Sequence, residues 1–253
     1  MKFPWLSWLA VLWLPAAAMA AQGPAPAAGP GSLSGLWQKV GAPNGSPVLD
    51  EMYEPRSGMK TADGAPLPLQ PWAAAILEQR LEDAEAGHPY AGTKVSCLPA
   101  GVPDMMMGNG VMQILETPDQ VTILRQEFTF FRVIHLDSKH PADPDPGYLG
   151  HSIGHWDGGT LVVDTIGLSD RTQIKGVIPH TEALHVVERF RRTGPDRLSI
   201  TATVDDPKTF TKPWTLATTL KRESGELMEY FCDNNRNAPD ASGHTSVQMP
   251  GRP

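Results

Sequence analysis

The densest chemical potential in this chain lies in Gly150-His151-Ser152-Ile153-Gly154-His155-Trp156-Asp157-Gly158-Gly159-Thr160-Leu161-Val162-Val163-Asp164-Thr165. Two alternating runs flank a Gly-rich turn, the pattern of a β-hairpin. With Asp157-Gly158 in the turn, Ile153 faces Val162 and His151 faces Asp164 on the same side. A carboxylate opposite an imidazole accepts its N–H, fixes the tautomer and raises its basicity, which is what a general base requires. With Gly158-Gly159 in the turn, His151 meets Ile166 and the direct dyad dissolves. The His151–Asp164 base is therefore conditional on one turn.

The second constellation is Pro179-His180-Thr181-Glu182-Ala183-Leu184-His185-Val186-Val187-Glu188-Arg189-Phe190-Arg191-Arg192. On a strand, Leu184, Val186, Glu188 and Phe190 share one face, so Glu188 sits among apolar neighbours. A carboxylate there needs an Arg or His partner, or it carries a raised pKa suited to proton transfer. Arg132, on the Phe128/Phe130/Ile134 face of its own strand, is the candidate partner. Glu188 or His180 would serve as the acid to the His151 base, and a shared reaction requires one pocket holding both. Arg132, Phe130, Trp156 and Trp214 are the candidates for gripping and lining a small ligand.

Other chemistries find less support. His151 and His155 share a strand face but stand about 13 Å apart, too far for one ion. Gly154 is the one local hint of a bulge that would bring them closer. The pairs His135/His140 and His180/His185 would point to opposite faces in strands, and no Cys or carboxylate group completes a ligand set. No metal and no cofactor is expected. Met105-Met106-Met107 reads as gap-filling core rather than a copper site. Asn44-Gly45-Ser46 matches the glycosylation acceptor pattern, which matters only in a host that glycosylates. A Ser nucleophile elbow, a phosphate loop and a dinucleotide fingerprint are all missing from the sequence.

These residues need a frame, and short strands supply it. Alternating runs fall at about 111–116, 120–126, 128–136, 149–156, 160–166, 184–192, 197–204, 214–221 and 227–232, after a first strand at 34–38. Their links carry turn residues at hairpin spacing, so an antiparallel meander is expected. Pro71 to Ala86 is the one good helix, with Trp72, Ile76, Leu77 and Leu81 as its apolar stripe and Gly87 at its end. The expected fold is mainly β: a lipocalin-like antiparallel barrel of about eight or more strands with one α-helix, or else a β-sandwich.

The first residues add a compartment. Lys2, an apolar run from Phe3 to Leu14, and Ala18-Met19-Ala20 read as a Sec-type signal peptide over 1–20, cleaved after Ala20. The run is short of the roughly 20 apolar residues of a membrane span, so no integral segment is expected after cleavage. Residues 21–33 form a Pro/Gly/Ala tether and 34–253 a single β-rich domain, placed in the periplasm or secreted. In that oxidising setting Cys97 and Cys232, the chain's 2 cysteines, are expected to pair. The bridge would close a loop of about 135 residues and contribute roughly 4–5 kcal/mol.

Composition sets outer limits. The chain has 253 residues, 40% hydrophobic and 19% charged, with 24 Gly, 25 Pro and a formal charge of −7. That excludes a coiled coil, collagen and a polytopic membrane protein, and argues against nucleic acid or an anionic membrane surface as partner.

The ordered blocks Gly150–Thr165, Pro179–Phe190 and Asp206-Pro207-Lys208-Thr209-Phe210-Thr211-Lys212-Pro213-Trp214, with Cys97-Leu98-Pro99 and Cys232-Asp233-Asn234-Asn235, carry a resemblance. From about Cys97 to Asn235 the chain resembles an uncharacterised family of exported bacterial proteins whose first block reads approximately GHSIGRWEGDTLVVDT. It departs at His155, Asp157 and Gly159, where that family usually has Arg, Glu and Asp. The resemblance implies a lipocalin-like β-rich exported protein and no settled activity. Two functions are therefore expected: a barrel holding a small apolar or aromatic molecule in its lumen, or a cofactor-independent lyase, isomerase or hydratase on the same scaffold.

Overall fold

The computed structural model describes residues 31–41, 59–90, 92–95, 97–127 and 130–230. The signal and most of the tether, Asn44-Gly45-Ser46 and Cys232 lie outside the described residues. Nine strands form a closed barrel in sequence order: β1 Gly35–Lys39, β2 Met112–Glu116, β3 Gln120–Arg125, β4 Phe131–Leu136, β5 His151–Asp157, β6 Thr160–Ile166, β7 His185–Gly194, β8 Arg197–Asp205 and β9 Trp214–Glu223. Strand β9 closes on β1 through Leu36↔Glu223 to Lys39↔Leu220. Closure leaves no edge for a tenth strand, and Leu227–Tyr230 of the expected 227–232 strand is irregular.

The expected meander needs one correction. Strands β4 and β5 run parallel, with Ile134↔Ser152 and Leu136↔Gly154, while every other neighbouring pair is antiparallel. Direction cannot alternate around a ring with an odd number of strands, so one parallel joint is unavoidable. It falls where the connection is long enough to return along the strands, over residues 137–150. The barrel interior is already occupied, so this crossover lies outside.

Side-chain alternation builds two cores. Trp37, Met112, Ile114, Ile123, Phe190 and Leu220 fill the barrel with further aliphatic residues and with Met105 and Met106, which act as packing. A second cluster closes one end, joining Leu168, Ile174, Ile178, Phe210 and Trp214 to helix α1, Pro71–Glu85. Helix α1 buries Ala73, Leu77 and Leu81, a narrower stripe than expected. Trp72 and Ile76 stay exposed, and the Trp72 indole donates to the Lys208 carbonyl at 2.8 Å. Two single turns, α2 Gly92–Val95 and α3 Asp104–Met107, precede β2. The domain also starts before residue 34: Leu33 is fully buried, its N–H donates to Glu116, and Ser32 Oγ donates to the same carboxylate at 3.1 Å.

Candidate functional site

The β5–β6 hairpin turns on Gly158-Gly159, whose φ angles are +53° and +83°. A two-residue turn of this kind needs φ > 0 at both central positions, which two glycines adopt without a Cβ penalty. The register therefore pairs Asp157 with Thr160, His151 with Ile166 and Ile153 with Asp164. His151 and Asp164 are not opposite each other, which corrects the direct dyad. Pairing runs unbroken through Gly154, so no bulge brings His155 to His151. A Cβ on Gly154 would lie 2.9 Å from Ile134 Cγ2, so this glycine serves close packing.

A residue from the crossover restores the connection. His140 Nε2 donates to Asp164 Oδ1 at 2.9 Å, and its Nδ1 lies 2.9 Å from His151 Nδ1. His185 Nε2, at the start of β7, donates to Asp164 Oδ2 at 2.8 Å. His135 on β4 stacks on His151 with ring centres 5.4 Å apart. Four imidazoles thus gather about one carboxylate on the outer face of the barrel, where Ile153 and Val187 flank Asp164 across the sheet. The Asp164 and His185 side chains keep 38% and 41% of their surface, so the cluster meets solvent.

The hydrogen bonds dictate tautomers. A carboxylate only accepts, so neutral His140 carries its proton on Nε2 and offers a bare Nδ1. His151 then donates from Nδ1, which leaves its Nε2 lone pair unprotonated. By the same logic neutral His185 has a bare Nδ1. Burial pushes the His151 pKa down, and neighbouring His140 and His135 push it further in that direction. The expected gain in basicity is thus reversed: Asp164 reaches His151 through His140 and not directly. His151 is a neutral base near pH 7.

Glu188 lies on the other face of the same strands. It is fully buried and receives Arg132 Nη2 at 2.5 Å, while Arg132 Nε donates to Ser152 Oγ at 3.0 Å and Nη2 to Thr165 Oγ1 at 2.8 Å. Arg132 is the partner anticipated from the alternation of the two strands. The sheet separates this network from His151, so Glu188 cannot share a pocket with that base.

The remaining candidates are dispersed. His180 is buried in the end-cap loop, with Nε2 2.7 Å from Thr172 Oγ1 and Nδ1 3.0 Å from the Thr181 carbonyl. Burial, opposed by the Thr181 bond and by Asp206 and Asp170, pushes its pKa down. Trp214 packs against Phe210 in the end-cap core, and Trp156 is half-exposed at the far end of β5. Phe130 lines a cavity of about 20 Å³ beside Arg125 and Glu127, the size of one water. A larger open groove of about 510 Å³ runs along Leu36, Gln113, Arg222 and Glu226, away from all of these residues. Arg132, Trp156, Phe130 and Trp214 therefore do not line a common lumen, which packed side chains fill.

His140 and His185 were missed as members of the site. His185 had a signal, since its strand parity puts it on the outward face. His140 had none, because it lies in an irregular crossover. Among the described residues no group of three or more His, Cys, Asp or Glu side chains is arranged to hold a metal ion, and no helix is long and apolar enough to cross a membrane. Comparison with protein-family models, curated proteins and solved structures finds no match.

Proposed function

We propose that this protein is a cofactor-independent acid–base enzyme of the lyase, isomerase or hydratase kind, working on the outer face of β4–β7. The observation that carries the proposal is the chain Asp164–His140–His151, which ends on a bare, neutral Nε2. His151 Nε2 takes a proton from the substrate and leaves the electron pair there. The imidazolium formed is held through its Nδ1–H by His140, whose own Nε2–H rests on Asp164. His185, on the second oxygen of that carboxylate, is the second proton-transfer group. The proton returns to a different substrate atom in an isomerase, or accompanies a leaving group in a lyase. The blocks Gly150–Thr165 and Pro179–Phe190, which carry the family resemblance, contribute His151, Asp164 and His185.

The reading includes export by the 1–20 signal and a Cys97–Cys232 bridge, each checked by the mass of the mature protein with and without reductant. A small molecule held in the lumen is the lesser reading, because Trp37, Met112 and Phe190 would have to move aside. Long-range proton–nitrogen NMR of the histidine rings tests the main proposal. It should show His140 protonated at Nε2 and His151 at Nδ1 at pH 7. A His151 ring protonated at Nε2 removes the base. Solvent deuterium incorporation into carbon acids should follow in wild type and vanish in His151→Gln.

A further inference from the structure

The outer face continues past the histidines as ordered rows. Across β5, β6, β7 and β8, one row runs Ile153–Asp164–Val187–Thr203 and the next His155–Val162–Arg189–Thr201. The third runs Asp157–Thr160–Arg191–Ser199. Val162 points outward yet keeps only 8% exposure between His155 and Arg189, and Ile153 and Val187 are half-buried. An aliphatic strip thus leads from the Asp164 cluster to two arginines, Arg189 and Arg191, whose backbone positions lie about 6.7 Å apart along β7. Arg189 meets Asp157 at 3.1 Å, but both side chains are more than half exposed, so the pair exchanges partners at little cost. No carboxylate among the described residues lies within ion-pair distance of Arg191.

This cationic end stands out on a chain of formal charge −7. Arginine forks match planar carboxylates in two parallel hydrogen bonds, and an aliphatic floor favours an organic body over an inorganic anion. We propose that the substrate class is a small carboxylic acid with an aromatic or alicyclic body. Its carboxylate sits on Arg189 and Arg191, its body on the partly exposed Ile153 and Val187, and its reacting carbon near His151. Along the strand the rows of His151 and Arg189 are about 13 Å apart, which a ring with a short acid arm spans once the arginine side chain reaches inward. The inference rests on the acid–base reading of the same site.

The test titrates three probes into the full chain at low salt and follows histidine and arginine side-chain NMR shifts. The probes are 3-phenylpropionate, its neutral amide and inorganic phosphate. The acid should shift His151 and Arg189 together, and the amide should bind about tenfold more weakly for want of the charge-assisted pair. The doubly substituted Arg189→Gln/Arg191→Gln chain, checked for unchanged folding by circular dichroism, should lose about the same factor. Equal binding of acid and amide, or full binding by the double variant, overturns the inference. So does phosphate producing the same histidine shifts, which would mean anion binding without the organic body. His151→Gln should keep binding the acid while losing deuterium exchange. Acid binding through the arginines with no exchange in wild type would refute the acid–base reading and leave the ligand class standing.

Discussion

The two faces of strands β4–β7 hold two polar constellations separated by a single sheet, and adjacent residues serve both. Ser152 and Thr165 look inward at Arg132, while their neighbours His151 and Asp164 look outward. Inside, an ion pair is dry and bound to hydroxyls, though Arg132 Nη1 and Glu188 Oε1 have no partner among the described residues. Removing either side chain leaves its buried partner alone. Outside, Asp164 and His185 keep about two-fifths of their side-chain surface, and His140 and His151 are joined to that carboxylate through hydrogen bonds. The inner set is suited to holding strands in register and the outer set to chemistry. Burial, rather than residue type, makes the difference.

Breaking the inner pair should have the largest effect. Glu188→Ala leaves a buried guanidinium alone and should cost about 3–5 kcal/mol, read as a lower urea midpoint. His151→Gln, on the wet face, should stay within about 0.5 kcal/mol of wild type. Equal losses would erase the distinction. Next comes Asp164→Asn, since one amide cannot accept well from both His140 and His185. Catalysed exchange should drop by about 10²-fold or more with the fold retained.

Two pH effects come third. Under the proposed acid–base function, His151, with its pKa lowered, should stay an active base to below the ordinary value of about 6.5, and the rate should fall as pH drops through its own pKa. His180, also lowered, takes no part in the rate and shows in stability alone. Above about pH 6.5 the ring is neutral folded and unfolded alike, so nothing is lost. As pH falls below that, the unfolded chain binds a proton that the folded site resists, and stability declines toward the folded pKa. His180→Asn should flatten that decline in thermal melts between pH 7 and 5, while the low-pH limb of the rate stays unmoved. The smallest effect belongs to the exposed Asp157–Arg189 pair, where Asp157→Asn should change stability by under about 1 kcal/mol.

Much of this was legible because hairpins are local. Strands β2, β3, β5, β6, β7 and β8 begin and end within about two residues of the alternating runs, since neighbouring turn residues set their ends. The Arg132–Glu188 pair was legible from parity alone, each charged residue falling on the apolar face of its strand. Parity also put His151 and Asp164 on one side under either turn, because moving the turn by one residue shifts the pairing by two, and a two-residue shift keeps every side chain on its face. What parity could not decide was which of them touch. That depended on two glycines taking positive φ together.

His140 shows the other limit. Nothing around Lys139-His140-Pro141 marks a ligand or a base, and the residue matters only because the crossover folds back over β5 and β6. That path follows from closing nine strands into a ring, which demands one parallel joint and an external return. Periodicity and turn chemistry, which act over a few residues, determined by themselves the strands, the faces and the inner pair. Ring closure, which acts over the whole chain, demanded one joint where direction does not reverse, and the long connection that makes it brought a histidine from an irregular loop onto Asp164.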